Sequence, residues 1–276
     1  MENRESVFAV TGASCGIGNA CATFLAKKGS KVYGFCRSPS SYVRKADEFF
    51  ELLPMDQTDQ ASVTKAAEKF LATTGRIDVL VACAGSGLAG AVEEVDMNEA
   101  RALVDVDFFG TLRVIKAFLP KMREASSGKI IIVGALEGLV AAPFQGIYSA
   151  AQSALESISL SLRMEMAPFG VEVGILELGS FRTEFGQRRI TAASASSISS
   201  VYKKGFENAL GVVERDEAVG IEPLVAVREI QAMLASRHLP ARRSVGRLSR
   251  RLLTFSRRWR STAALERRLR MYYRLG

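Results

Sequence analysis

Through residue 179 the chain alternates short, continuous apolar runs with longer stretches whose apolar positions recur every three or four residues. VFAVTG (7–12), KVYGFCR (31–37), FELLPMD (50–56), IDVLVACAG (77–85), KIIIVGA (129–135) and VEVGILELG (171–179) read as strands. Between them, IGNACATFLAKKG and SVTKAAEKFLATTG (62–75) read as helices with glycine stops, residues 98–124 as one long helix, and 148–170 as another. Strands that are apolar throughout, rather than alternating, belong to a parallel sheet covered on both faces. The expected architecture is therefore α/β, a doubly wound parallel sheet, with ligands bound beyond the carboxyl ends of the strands. The pattern loosens between Phe185 and Glu222, where 191-TAASASSISS-200 has neither period.

Composition adds an asymmetry. The net charge of the 276 residues is +8, yet residues 237–276 hold thirteen arginines against one acid, Glu266. That segment carries +12, so the preceding 236 residues carry −4. The expected division is a main domain over 1–240 and a basic amphipathic extension over 241–276, in which Leu248, Leu252, Phe255 and Trp259 fall at helical spacing among the arginines. Such a helix either packs on its own domain or lies in an anionic membrane interface. No nucleic-acid motif accompanies the charge, so no nucleic-acid partner is expected. No run is apolar enough to span a bilayer, and the polar start MENRES argues against a cleaved signal peptide. Cys15, Cys21, Cys36 and Cys83 lack metal-ligand spacing and fit free thiols in a reducing compartment. His238 has no partner motif, and no metal site is expected. A cytoplasmic homo-oligomer, with peripheral membrane contact through the tail as the alternative, is the expected state.

The first strand-to-helix turn is 11-TGASCGIG-18. Gly12, Gly16 and Gly18 keep side chains away from a corner where backbone must approach a diphosphate, and the helix behind offers unpaired N–H groups and a positive dipole end. Closing one strand and opening one helix is the context in which this glycine pattern binds a dinucleotide. Arg37 ends the second strand with no acid beside it, which suits a 2′-phosphate and points to NADP(H) rather than NAD(H).

With these motifs the chain resembles the short-chain dehydrogenase/reductase family over most of its length, most closely the hydroxysteroid and retinol dehydrogenase branch. TGxxxGIG stands at 11–18, an acid after the third strand at Asp56 in MDQTD, and 83-CAG-85 where the family has Asn-Ala-Gly. Further on, 105-DVDFFG-110 matches D-V-N-x-x-G, 148-YSAAQ-152 matches Y-x-A-x-K, and 177-ELGSFRTEF-185 matches the P-G-x-x-x-T loop. The resemblance implies a single Rossmann-type domain. It places cofactor contacts at Gly12, Ser14, Gly16, Ile17 and Gly18, at Arg37, at Asp56 and Gln57, and at Cys83, Ala84 and Gly85. It adds Tyr148 and Gln152, and then Gly179 and Thr183. It also implies a substrate lid over 185–222, whose Phe185, Ile198, Val201, Phe206 and Leu210 suggest a lipophilic small molecule.

The departures fall on the chemistry. Of the family's Asn, Ser, Tyr and Lys, only the tyrosine is kept: Asp107, Ala135, Tyr148 and Gln152 occupy the four positions, and Cys83 replaces a pocket asparagine. Without an ammonium nearby, a tyrosine is a poor base at neutral pH. Gln152 can bond a ribose hydroxyl but supplies no charge, and Ala135 gives no donor to an oxyanion. Asp107 and Glu137 would instead join Tyr148 as an acid/base cluster. Three readings follow: a non-redox isomerase, lyase or cyclase using that cluster, which the site residues favour; an NADPH-dependent oxidoreductase of a lipophilic ketone or alcohol with an altered relay; and a non-catalytic sensor or scaffold.

Overall fold

The buried run Val7–Thr11 forms β1, an interior strand of a seven-stranded parallel sheet. A computed structural model describes residues 5–43, 48–197, 199–246 and 261–275 of the chain. After β1 come β2 (Lys31–Cys36), β3 (Glu51–Pro54) and β4 (Val79–Ala82), then a short β5 (Leu88–Ala89). Beyond these lie β6 (Gly128–Ala135), β7 (Val171–Leu178), a short β8 (Ile190–Thr191) and β9 (Arg242–Val245). The main sheet runs β3-β2-β1-β4-β6-β7-β9, and β5 pairs with β8 in a separate ribbon. The winding reverses between β1 and β4, which opens a crevice at their carboxyl ends.

One face of the sheet is covered by α2 (Gln60–Thr74), α4 (Thr111–Glu124) and α5 (Gly146–Met166), with Phe35, Phe70 and Phe118 interlocked at its centre. The other is covered by α1 (Gly16–Lys27) and α7 (Pro223–Ala235), through Cys21, Leu25, Val227 and Ile230. Local signals set the ends. Asp59 caps α2 by accepting the Ala61 N–H, and Gly75 ends it at a φ of 69°. A reciprocal Asp96–Glu99 capping box starts α3 (Met97–Val104).

Three expectations change. The helix read over 98–124 is continuous in course but passes through one π-helical turn, Asp105–Gly110, between α3 and α4. The extra residue of such a turn is favoured where a side chain must be re-aimed, and here Asp107 is the one sent inward. The boundary at 240/241 also moves. Arg242–Val245, assigned by composition to the basic extension, is the edge strand of the main sheet, in register with Ile175–Leu178 of β7. Its arginines escaped recognition because an edge strand beside acids tolerates charge: Arg242 pairs with the partly exposed Glu156 and the buried Glu177. Third, the region read as a loose lid holds a sixteen-residue helix, α6 (Lys203–Ala218), whose Phe206, Ala209, Val212 and Val213 are buried.

Of the extension, the residues from Thr262 to Tyr272 form a C-terminal helix that packs on α6 through Leu269, Tyr273 and Leu275. Leu248, Leu252, Phe255 and Trp259 lie outside the described residues. Among the described residues, no helix is long and apolar enough to cross a membrane, and all four cysteines are free.

Candidate active site

A cleft of about 460 Å³ opens at the carboxyl ends of the strands, beside the β1–β4 switch point. At one end, the glycine turn is built for backbone approach. A Cβ on Gly18 would stand 2.5 Å from the Gly12 carbonyl oxygen, and one on Gly12, whose φ is +68°, only 3.0 Å from the Ala84 Cα. The Thr11 hydroxyl accepts the N–H groups of Cys83 and Ala84 at 2.9 and 3.0 Å, which pins the loop after β4 against that turn. Arg37 and Asp56 line the same end, Arg37 exposed. Gln57 lines this end too, and its amide donates to the Val106 carbonyl at 2.8 Å, tying the segment after β3 to the π turn.

The other end gathers the titratable groups. Asp107 is 1% exposed. Its Oδ1 accepts the Ser86 N–H at 2.7 Å and the Ser86 hydroxyl at 3.3 Å, and its Oδ2 accepts the Gln152 amide at 3.0 Å. Burial pushes its pKa up to about 7, and the hydrogen bonds from Ser86 and Gln152 offset only part of that. Gln152 is thereby held with its Nε2 committed and its Oε1 buried without a hydrogen-bond partner among the described residues. A buried amide oxygen left unpaired is costly unless a ligand supplies a donor.

Tyr148 lies one helical turn before Gln152 on α5, against the ring of Phe185 at 6.1 Å between centroids. Its pKa is raised well above the usual tyrosine value, first by burial and then by Glu137, Asp107 and Glu217, with Arg189 pulling the other way. Glu137 lines the cleft from the turn that follows β6. Burial also holds the Cys83 thiol up at about 12, so it is an uncharged wall of the pocket.

All the catalytic and cofactor-contact candidates singled out from the sequence line this one cleft: Ser14, Gly16, Ile17, Gly85, Gly179 and Thr183 with those already described. The apolar residues of 185–222 divide. Phe185 lines the cleft, but Phe206 and Leu210 pack beneath it, Val201 is exposed, and Ile198 lies outside the described residues. Val213 and Glu217 of α6 take the place expected for them. Glu217 pairs with the buried Arg189, and Arg188 donates to the Cys15 sulfur at 3.0 Å. Neither contact was signalled in the sequence, since each joins an arginine of an aperiodic segment to a residue far off in the chain.

Comparison with known proteins decides the family. The sequence profile described as short chain dehydrogenase matches residues 6–193. The chain belongs to the short-chain dehydrogenase family. A 3-ketodihydrosphingosine reductase of Bacteroides thetaiotaomicron is 33% identical over 270 residues, 98% of each chain. An estradiol 17-beta-dehydrogenase 1 of Rattus norvegicus is 34% identical over 264 residues, covering 87% of this chain and 76% of its own, which places the chain in the hydroxysteroid branch. A short-chain dehydrogenase from Streptomyces avermitilis superposes with a TM-score of 0.83 at 30% identity, over 100% of this chain and 98% of the other. These relatives are reductases and dehydrogenases by name. They favour the oxidoreductase alternative over the isomerase, lyase or cyclase reading that the altered site residues suggested. Within the short-chain dehydrogenase pattern, what this chain has changed is a set rather than a point: a Gln–Asp pair stands where the family has Lys and Asn.

Proposed function

We propose that this short-chain dehydrogenase is an NADP(H)-dependent oxidoreductase that works as a reductase of a ketone on a lipophilic substrate. The observation that carries the reading is the buried chain Asp107–Gln152, which ends in an unpaired Oε1 one turn from Tyr148.

The residues present fit a dinucleotide. Gly12, Gly16 and Gly18 leave backbone room for a diphosphate, Arg37 suits a 2′-phosphate, and the orphaned Gln152 oxygen suits a ribose hydroxyl. When bound, a reduced nicotinamide supplies a hydride to the carbonyl carbon. Everything else falls to the chain. Tyr148, kept protonated by burial and by three carboxylates, donates its proton to the carbonyl oxygen as that oxygen gains charge. The same environment leaves almost no tyrosinate to accept a proton near neutral pH, so the alcohol-oxidising direction is disfavoured. Asp107, titrating near neutrality, holds or releases a proton behind Gln152, a position where an asparagine would only have held a water. Gln145, a buried cleft residue one turn before Tyr148, carries the amide donor that Ala135 lacks.

For the substrate, support comes from the walls: Leu103, Leu155, Phe185, Ile190 and Val213 are apolar. The names of the relatives, a ketodihydrosphingosine reductase and an estradiol dehydrogenase, point to large apolar carbon skeletons.

The test is NADPH and NADH oxidation against a panel of long-chain and steroidal ketones, with the alcohol product measured by mass. NADPH-dependent alcohol formation that falls ~10²–10⁴-fold in Tyr148→Phe is the expected result. Tight NADPH binding with no turnover of any ketone would overturn the redox reading.

A further inference from the structure

The C-terminal helix presents two faces of opposite character. Its inner face is committed to α6: Tyr273 is buried, Leu269 and Leu275 pack beside Ala142, Ala209, Val212 and Val213, and the Tyr272 hydroxyl bonds the buried carboxylate of Asp216. The Asn208 amide also donates to the Arg274 carbonyl at 3.1 Å. These contacts fix the helix about its own axis. Its outer face therefore has a defined composition: Arg267, Arg268, Arg270 and Arg274 are exposed, with Met271 among them at 66%. Residues three and four apart share a side, so Arg267 and Arg268 both stand beside Met271 and Arg270 stands beside Arg267, while Arg274 follows just past the helix end. The one acid of the segment, Glu266, meets Arg270 at 3.6 Å and leaves residues 261–275 at +3.

A packing helix needs only its inner face. Packing on α6 does not call for exposed arginines around a methionine, and the chain before residue 237 does not share the basic bias, since residues 1–236 carry −4. We infer that the outer face of the C-terminal helix is a docking surface for an anionic membrane. Clustered guanidinium groups are attracted to acidic headgroups, and an exposed unbranched apolar side chain among them can enter the acyl boundary. A nucleic acid would meet the same charge, but the face offers no exposed ring for base stacking beyond the partly exposed Tyr272, whose hydroxyl is already held by Asp216. The helix beneath, α6, is also the one that brings Val213 and Glu217 to the cleft. Docking would thus bring the lid of the substrate cleft to the bilayer. The inference does not depend on which reaction the cleft performs.

The test uses the full chain in a sedimentation assay with sucrose-loaded vesicles, one set pure phosphatidylcholine and one containing phosphatidylglycerol, each with and without competing single-stranded RNA. Two variants accompany it, R267E/R268E/R270E and R267K/R268K/R270K, with folding checked by circular dichroism. The expected result is binding that requires phosphatidylglycerol, survives the lysine variant and falls at least ~100-fold in the glutamate variant. Equal binding to both vesicle types, no binding, an unchanged glutamate variant, or displacement by RNA at lower concentration than the lipid would each overturn it.

Discussion

The two ends of the cleft have been held to different standards. At the dinucleotide end, the steric requirement has been met to the letter: Gly18 has no room for a single carbon beside the Gly12 carbonyl, and Thr11 clamps the facing loop. At the reacting end, the tyrosine alone is kept, and the groups around it have been exchanged as a set. Backbone that must touch a diphosphate admits no substitute for glycine, because the constraint is volume. Proton handling is a matter of charge and hydrogen-bond polarity, and those can be redistributed. Lys and Asn give one cation and one neutral amide; Gln and Asp give one neutral amide and one acid that titrates near 7.

The sharpest break in this comparison is at Gly18. Valine there should abolish dinucleotide binding by calorimetry, while Gly211 on α6, with open space around its Cβ position, should accept alanine without effect. Next is Tyr148→Phe, with the ~10²–10⁴-fold loss already given. If binding of NADPH is unchanged in that variant, the loss belongs to the reacting end alone.

Asp107→Asn is a subtler probe. With a value near 7, Asp107 is protonated below neutrality, and its charge above neutrality makes Tyr148 a still weaker acid. Reductive turnover should therefore fall as pH rises through about 7, and the asparagine variant should lose that inflection. Stability gives an independent readout. A carboxyl whose folded value is raised contributes stability that is complete below its unfolded value, near 4, and is lost as pH rises through about 7. The variant should melt higher than the parent at pH 8 and show no such gain at pH 4. Smallest is Arg37→Ala, which should weaken NADPH about tenfold and leave NADH unchanged, since only the 2′-phosphate meets that side chain.

The sequence made the dinucleotide half legible because its signals are local. Three glycines between a strand and a helix, or an arginine ending β2, are read within a few residues. The reacting half was legible as a set of positions but not as a device. That Asp107 bonds Gln152 depends on residues 45 apart meeting in a buried place, and its raised pKa depends on burial that no spacing encodes. From the sequence it was a candidate member of an acid/base cluster; burial gives it a value near 7 and makes it a proton store. The π turn that aims it inward likewise leaves the hydrophobic period of a single long helix almost undisturbed. β9 was missed for the opposite reason: its composition, two arginines in four residues, resembles the tail that follows more than the sheet it joins.

The loop from Thr183 to Thr191 is fastened on three sides. Arg188 reaches the glycine turn, Arg189 reaches α6, and Ile190 donates to the Gly87 carbonyl at 2.8 Å. A door latched in this way opens as one piece, and an enzyme that must open it once per cycle can be limited by exit instead of by chemistry. Steady-state turnover then shows only part of a loss in the proton donor. Single-turnover rates should fall further than kcat in the Tyr148 and Asp107 variants, and loosening Arg188 should raise the parent's kcat while leaving its single-turnover rate alone.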